Sequence, residues 1–443
     1  MINILLFLGS YAGGIFYAFM ASPMVIFALY QAVYFYNPQN RWWGSSVPNL
    51  PYSFIVVVAM AVLFIKSFSQ FNQNRLLQMP QFRWMYCILL LYWVASFYAV
   101  LPAGHSQAFV FYLKLMIIMS VAFKMCQSDK DLNIMLYGYI YGAWYICFMA
   151  MQKGRNGAGR VEGIGTVDSP DANGLAAAIA PSAVLCLYFF WTATNNKIRF
   201  LIAIAGAFIA NGIVLINSRG AFLAVALSCG LFMWHMYFSS FQRKYQKAAA
   251  VGITLVGLLG AAMIVDKDFI ERMHTMTTQS AENVEQESGA TRFIFWQSAW
   301  NMAKDYPFGK GFQGFNVFAP IYIPEGIDTG ESRNRSVHST WFETLTEVGY
   351  LGLFVFIMML YASYKTSNIT KKALKERADV DNYFKVIALQ CALLAFVVAM
   401  TFMNRMRAEI LYWCVLFIAC AYNIYVVRYN SLQDKKLVVE NET

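Results

Sequence analysis

Long apolar runs separated by short polar intervals form the main pattern of this 443-residue chain. Lipid offers the peptide backbone no hydrogen-bond partners, so each crossing has to be a helix of about 20 apolar residues. The first two runs are together long for one crossing and short for two. The pattern predicts an all-α polytopic membrane protein with 12 or 13 transmembrane helices. The candidate spans are 3–20, 22–37, 51–66, 84–101, 107–123, 132–151, 173–194, 198–216, 220–238, 248–265, 342–364, 384–403 and 409–427.

Composition agrees with a membrane protein and excludes an ordinary soluble domain. Hydrophobic residues make up 59% of the chain and charged residues 13%, whereas soluble domains carry about 25% charge. Eight cysteines lie in or beside apolar runs without a CxxC pair, and there are only four histidines. These features indicate packing residues, so the sequence predicts no metal site and no cofactor.

Basic residues in alternate short loops set the predicted orientation. These loops carry Arg75, Arg83, Lys124, Lys130, Lys197, Arg199, Arg243, Lys244, Lys247, Lys365, Lys371, Lys372, Lys375 and Arg377. An excess of Lys and Arg marks the cytoplasmic side of a membrane protein. The net charge of +10 therefore reflects topology, and we expect no nucleic-acid partner. The predicted organisation is helices over 1–265, a loop over 266–341, helices over 342–428 and a cytoplasmic tail over 429–443.

The loop over 266–341 falls on the opposite side, which would be periplasmic in a Gram-negative cell. An amphipathic helix is predicted at 292–304, where Phe293, Trp296 and Trp300 recur at three- and four-residue spacing. This aromatic face either lies on the membrane surface or packs against the tops of the spans. Pro and Gly in PFGKGFQGF (307–315) end the helix.

Several arginines lie on the outer side, against the orientation rule. They are Arg155, Arg160, Arg219, Arg292, Arg333, Arg335, Arg405 and Arg407. Arginine binds phosphate through a bidentate fork and keeps its proton, so an anionic substrate at the outer face would explain the set. Arg292 also lies at a predicted helix start, where free backbone N–H groups favour phosphate. The alternative is that each arginine caps a helix end or reaches lipid headgroups.

His338 is the candidate base. Thr340 and Glu343 have the T-x-x-E spacing of a capping box, which would hold His338 just outside a transmembrane helix. A neutral imidazole there could take a proton from an attacking hydroxyl, although a single surface histidine often has no role. Asp171 and Asn173 follow Pro170 and are interpreted either as helix caps or as groups that bind or orient neighbours.

Four segments together carry a resemblance to a known family. They are VDSPDANGLAAAIAP (167–181), SRGAFLAVALS (218–228), TRFIFWQSAWNMAKDYPFGKGFQGF (291–315) and VHSTWFETLTEVGYLGL (337–353). In content and order they resemble the O-antigen ligase and polymerase superfamily, over almost the whole chain. The segment YFYNPQNRWWG (34–44) is similar to the branch found beside exosortase systems. VHST departs from the His-Asn of many members.

The resemblance implies a membrane glycosyltransferase that needs neither metal nor nucleotide. Members transfer a glycan from undecaprenyl diphosphate, at the periplasmic face of the inner membrane, to a hydroxyl on lipid A core, a growing glycan or a protein. By resemblance, Arg219 and Arg292 hold the diphosphate and His338 serves the acceptor, which predicts inversion at the anomeric carbon. The further candidates for substrate binding are Arg155, Arg160, Asp171, Asn173, Arg333 and Arg335. The expected partners are the lipid-linked donor, the acceptor and membrane lipids.

Two other classes of protein remain alternatives. A transporter or flippase of lipid-linked glycans usually carries ionisable residues deep in its spans, and here only Lys114 is plainly in mid-span. A scaffolding subunit of an export complex would not need Arg219, Arg292 or His338. Within the enzyme class, the sequence leaves open a ligase, a polymerase and a protein O-oligosaccharyltransferase.

Overall fold

The computed structural model describes residues 1–157, 159–267, 269–270, 289–327, 329 and 332–433. Over these residues the chain contains sixteen α-helices and no strand. The helices are α1 Ile2–Met20, α2 Val25–Tyr36, α3 Tyr52–Lys66, α4 Phe68–Phe71, α5 Pro80–Ala95, α6 Pro102–Met125, α7 Asp129–Lys153, α8 Ala172–Thr192, α9 Asn196–Ile216, α10 Arg219–Phe238, α11 Gln246–Ile264, α12 Gly289–Asp305, α13 Gly314–Tyr322, α14 Thr340–Glu376, α15 Val380–Met400 and α16 Glu409–Tyr422. The prediction of an all-helical polytopic membrane protein is confirmed.

Each predicted span coincides with a helix, but three of these helices are short. Ten helices in the described residues are long and apolar enough to cross a membrane, or eleven if α3 and the segment after it form one span bent by 88°. The predicted number was 12 or 13. The helix α2 has 12 residues, α3 has 15 and α5 has 16. The helical conformation of α16 continues beyond Tyr422, so that its span over Glu409–Gln433 has 25 residues. Apolar periodicity does not distinguish a short buried helix from a crossing.

The centre of the bundle is built around α2 and α16. Ten of the twelve α2 residues are buried, and this helix packs closely along α7. Trp413 of α16 is fully buried, with its ring against aromatic rings of α2 and α7. Because α16 is fixed in the core, the connection that precedes it, residues 401–408, lies over the middle of the bundle.

The described part of the outer loop has a small hydrophobic core of its own. Phe295 and Met302 of α12 pack with Phe315 and Ala319 of α13, and Val337 completes the cluster. Val337 immediately precedes His338. The loop is therefore a folded cap that holds the histidine segment against α12.

The segment PFGKGFQGF binds a break in α14. Gly349 interrupts the helix with φ 74° and ψ −170°. Backbone N–H groups of Lys310 and Gly311 donate to the carbonyls of Thr346 and Glu347, each over 2.9 Å. A Cβ atom on Gly309 would lie 2.5 Å from the carbonyl carbon of Glu347. Glycine is required here because two stretches of backbone pack in direct contact.

A buried ion cluster surrounds Arg407. Its guanidinium binds Glu343 over 3.0 Å and also binds Glu347, and the three side chains are only 13%, 6% and 2% exposed. Arg407 donates to the Tyr92 hydroxyl over 2.6 Å, and the backbone N–H of Gln313 donates to Glu347 over 2.9 Å. Burial lowers the pKa of the Arg407 guanidinium, but Glu347 and its neighbours outweigh burial and raise the pKa overall. The cluster joins four separate segments around one fully ionised arginine.

His105 holds the same region together from α6. Its Nδ1 accepts from the backbone N–H of Phe312 over 2.9 Å, and its Nε2 lies 2.8 Å from the carbonyl oxygen of Tyr92. The first bond requires an unprotonated Nδ1 and the second requires a proton on Nε2. The ring is therefore a neutral clamp between α5 and the segment 307–315.

Replacing Glu347 by Ala should lower the free energy of unfolding by about 3 kcal/mol, because it removes one carboxylate from a buried arginine. The unfolding temperature of the purified protein in detergent measures this effect. Glu376→Ala, at an exposed position of the same helix, is the control and should change stability by less than about 0.5 kcal/mol. Equal unfolding temperatures for the two variants would contradict the role of the cluster.

Candidate active site

The start of α8 binds two of the arginines that the sequence predicts on the outer side. Asp171 is the N-cap and accepts from the backbone N–H of Gly174 over 2.9 Å. Its carboxylate also pairs with Arg405, while Asn173 accepts from Arg160 Nη2 over 2.7 Å. Burial raises the pKa of Asp171, but Arg405 and the Gly174 N–H outweigh it and leave the pKa below its usual value. Asp171 therefore caps the helix, as one interpretation expected, and both residues orient an arginine.

Arg219, at the first position of α10, lies near Arg160. Asn217 ends α9 in the left-handed conformation, with φ 57°, and donates from Nδ2 to the Gly159 carbonyl over 3.3 Å. Arg219 and Arg160 are close enough for their like charges to interact. The turn NSRGA and the loop GRNGAGR therefore meet at one place.

Phe402 links the three residues that the sequence singled out. A Cβ atom on Gly220, the neighbour of Arg219, would lie 3.5 Å from the Phe402 ring. The ring of Trp296, one helical turn beyond Arg292, has its centroid 6.4 Å from that of Phe402. Trp296 also donates from Nε1 to the Val337 carbonyl over 3.1 Å. The segments that carry Arg219, Arg292 and His338 thus converge around Phe402, and we call this arrangement the Phe402 junction.

His338 has a strained backbone that is fixed on both sides. Its φ is 49°, in the left-handed region, which costs a non-glycine residue about 1–3 kcal/mol. The N–H of Ser339 donates to Asn404 Oδ1 over 3.1 Å, and Asn404 Nδ2 donates to Ser336 Oγ over 2.8 Å. With Trp296 bound to the Val337 carbonyl, both neighbours of the histidine are held. Strain of this kind is typical of functional positions.

One comparison with known proteins finds a family that part of the chain resembles. Residues 204–357 match the family model described as O-Antigen ligase. Over this region the chain is similar to O-antigen ligases, which supports the resemblance found in the sequence. No curated protein matches the chain. The matched region contains Arg219, Arg292 and His338, and at family level it supports transfer of a lipid-linked glycan to a glycan acceptor.

The aromatic face of α12 is divided between packed and exposed rings. Trp296 stacks on Phe342 with centroids 5.8 Å apart and so packs against the top of α14. Phe293 and Trp300 are 68% and 42% exposed. Packing against α14 therefore accounts for Trp296, and Trp300 also meets this helix edge-to-face at Tyr350, with centroids 5.9 Å apart. Phe293 is the most exposed ring of the predicted face.

The predicted capping box at Thr340 and Glu343 is wrong. The N-cap of α14 is Ser339, without a side-chain cap bond. Thr340 Oγ1 donates to the Met403 carbonyl over 2.7 Å, and Glu343 accepts from the backbone N–H of Met406 over 3.0 Å. Both side chains bind the 401–408 connection, which offers them more partners than their own helix start does.

Three of the predicted substrate-binding arginines bind backbone carbonyls. Arg155 donates to the Val214 and Leu215 carbonyls at the end of α9, over 2.8 and 3.3 Å, and pairs with Asp266. Arg333 donates to the Ile323 carbonyl over 2.5 Å. Arg335 donates to the Thr329 carbonyl. For Arg155 this geometry favours the helix-end role that was the alternative to substrate binding, whereas Arg333 and Arg335 bind carbonyls of the loop.

Sequence reasoning missed Asn404 and the different roles of Arg405 and Arg407. Glu343 and Glu347 were one available signal, because two acids one helical turn apart at the start of a span need a buried cation. Arg407 is the partner they find. No comparable local signal marks Asn404, whose bonds reach residues more than sixty positions away.

Replacing Asn404 by Ala should reduce glycan transfer and lower stability by about 1–3 kcal/mol, because Ser339 loses a buried acceptor. Transfer activity and unfolding temperature should be measured on the same preparation. Asn334→Ala, at an exposed position of the same outer segment, is the matched control. Wild-type activity in the Asn404 variant would show that His338 does not depend on this support.

Proposed function

We propose that the protein is a metal-independent, inverting glycosyltransferase of the bacterial inner membrane. It transfers a glycan from undecaprenyl diphosphate at the periplasmic face to an acceptor hydroxyl. The proposal is supported by the convergence of the segments that carry Arg219, Arg292 and His338 at the Phe402 junction, within the region that matches O-Antigen ligase.

Arg219 and Arg292 would bind the diphosphate of the donor. Diphosphate leaves readily only when its negative charge is neutralised, and guanidinium groups at a low-dielectric surface can do this. Arginine suits the task because it stays protonated and binds two phosphate oxygens at once. Arg160, beside Arg219, would extend this site, with Asn173 as its orienting partner.

His338 would act as the general base. The acceptor hydroxyl attacks the anomeric carbon and its proton passes to the imidazole. The new carbon–oxygen bond forms as the bond to the diphosphate oxygen breaks, and undecaprenyl diphosphate departs with the electron pair. Because attack comes from the face opposite the leaving group, the configuration inverts. The fixed neighbours Val337 and Ser339 support this role by holding the histidine in one position.

The other predicted substrate-binding residues have more local roles in this proposal. Asp171 caps α8 and pairs with Arg405. Arg155, Arg333 and Arg335 shape the outer loops through backbone carbonyls, and substrate contacts of these three remain predictions.

The test compares wild-type protein with His338→Ala in membranes loaded with undecaprenyl-diphosphate-linked glycan. Wild-type protein should consume the donor, and the variant should lose about 100-fold or more of the rate, as expected for a missing general base. Donor and product sizes are followed on a gel. Asn334→Ala serves as the active control.

The products separate the remaining alternatives. A ladder would identify a polymerase, a single shift of lipid A core would identify a ligase, and a shifted protein would identify an O-oligosaccharyltransferase. Equal donor consumption by the His338 variant would overturn the assignment of the base. No consumption by wild-type protein with acceptor present would favour the transporter, flippase or scaffold.

A further inference from the structure

Arg405 lies directly against the first turn of α8. Its guanidinium pairs with Asp171 and donates from Nη1 to the Asn404 carbonyl over 3.0 Å. A side chain at position 174 would overlap the guanidinium, so Gly174 is what admits it. The Arg405 backbone N–H donates to Thr340 Oγ1 over 2.9 Å. This arginine is therefore fixed at its backbone and carries a side chain aimed at the site.

Arg405 and Arg160 both retain hydrogen-bonding capacity. In each arginine the Nε–H is buried and has no hydrogen-bond partner in the described part of the chain. An unsatisfied buried donor costs about 1–3 kcal/mol, and more when it is charged. Two such donors near one helix start indicate that an acceptor from outside the protein binds them. An oxyanion is the chemistry that fits, because a guanidinium only donates.

The partner of Arg405 is the more accessible member of the ion pair. The Asp171 side chain is 53% exposed, whereas that of Arg405 is 14% exposed. The carboxylate can separate from the guanidinium at modest cost, because its exposed side keeps it solvated. A full turn that also broke the N-cap bond to Gly174 would add about 0.5–2 kcal/mol. The buried arginine would then be available to a new anion.

Arg407 shows the contrasting arrangement two residues later. Its guanidinium is enclosed by two carboxylates that are almost fully buried, Glu343 and Glu347. Displacing either acid would leave a buried charge, which costs several kcal/mol. Of the two arginines in this connection, only Arg405 has a partner that can be exchanged.

We propose that Arg405 is a further ligand of the donor diphosphate, and that Asp171 is an internal carboxylate which the diphosphate displaces. The inference rests on the proposed function, because it assigns a third arginine to the same donor. When no donor is bound, Asp171 would pair with Arg405. The donor would have to break this pair, so it would bind more weakly than it would to Arg405 without Asp171.

Asp171→Asn separates this inference from a structural role. Asparagine is as good an N-cap as aspartate, so its amide oxygen can still accept from Gly174 while the competing charge is gone. We expect Asp171→Asn to bind undecaprenyl diphosphate about tenfold more tightly, and Arg405→Gln about tenfold more weakly, in line with one charge-assisted hydrogen bond. In the double variant the gain from Asp171→Asn should disappear.

Asp266→Asn is the matched control. Asp266 also pairs with an outer arginine, Arg155, but that guanidinium additionally binds two helix-end carbonyls. Its removal should leave the affinity unchanged.

The experiment measures binding of undecaprenyl diphosphate to the full-length chain in nanodiscs, with the unfolding temperature of each variant. Tighter binding by Asp171→Asn, weaker binding by Arg405→Gln and loss of the gain in the double variant would establish the exchange. If wild-type protein binds the probe but Asp171→Asn binds no tighter, the inference is overturned and the proposed function stands. If wild-type protein does not bind the probe, both fall.

Discussion

The buried pairing of Arg407 with Glu343 and Glu347 is the constraint on which the described outer face depends. A guanidinium in this position is tolerated only while both acids remain close, since a single buried charge is strongly destabilising. Tyr92 and the Gln313 N–H complete the same cluster, so α5, the segment 307–315, the start of α14 and the 401–408 connection are tied to one point. The break at Gly349 and the neutral clamp of His105 follow from this arrangement. Both let the glycine-rich segment pack directly on α14.

The connection that carries Arg407 also organises the candidate site. Phe402 contacts the segments of Arg219 and Arg292, Asn404 fixes the backbone beside His338, and Arg405 reaches the start of α8. The eight residues 401–408 thus connect the buried core to groups that are distant in sequence, and hold those groups in place. A metal-free glycan transfer of the proposed kind needs such fixed charges, because preorganised donors stabilise a departing diphosphate without reorganisation.

The sequence predicted those features that depend on local patterns of apolar and charged residues. Apolar runs predicted the positions of the long helices, and the arginines predicted on the outer side, with one histidine, pointed to segments that the structure brings together. The same patterns failed where the outcome depends on tertiary partners. The helix α2 looked like a crossing because hydropathy records apolar character and not burial. Thr340 and Glu343 looked like a capping box, but they bind Met403 and Met406, more than sixty residues away, instead of their own helix start. Arg155 and Arg405 looked alike, but the structure shows that Arg155 binds two helix-end carbonyls as well as Asp266, whereas Arg405 pairs with Asp171 at the start of α8.

The most direct test of the central claim is a single-turnover measurement with lipid-linked glycan donor, which gives donor affinity and the rate of the chemical step from the same samples. The account predicts that Arg219→Gln and Arg292→Gln weaken donor binding by about tenfold or more each, whereas His338→Ala binds donor normally and loses the chemical step. Normal donor binding in both arginine variants, or a normal chemical step in His338→Ala, would contradict it.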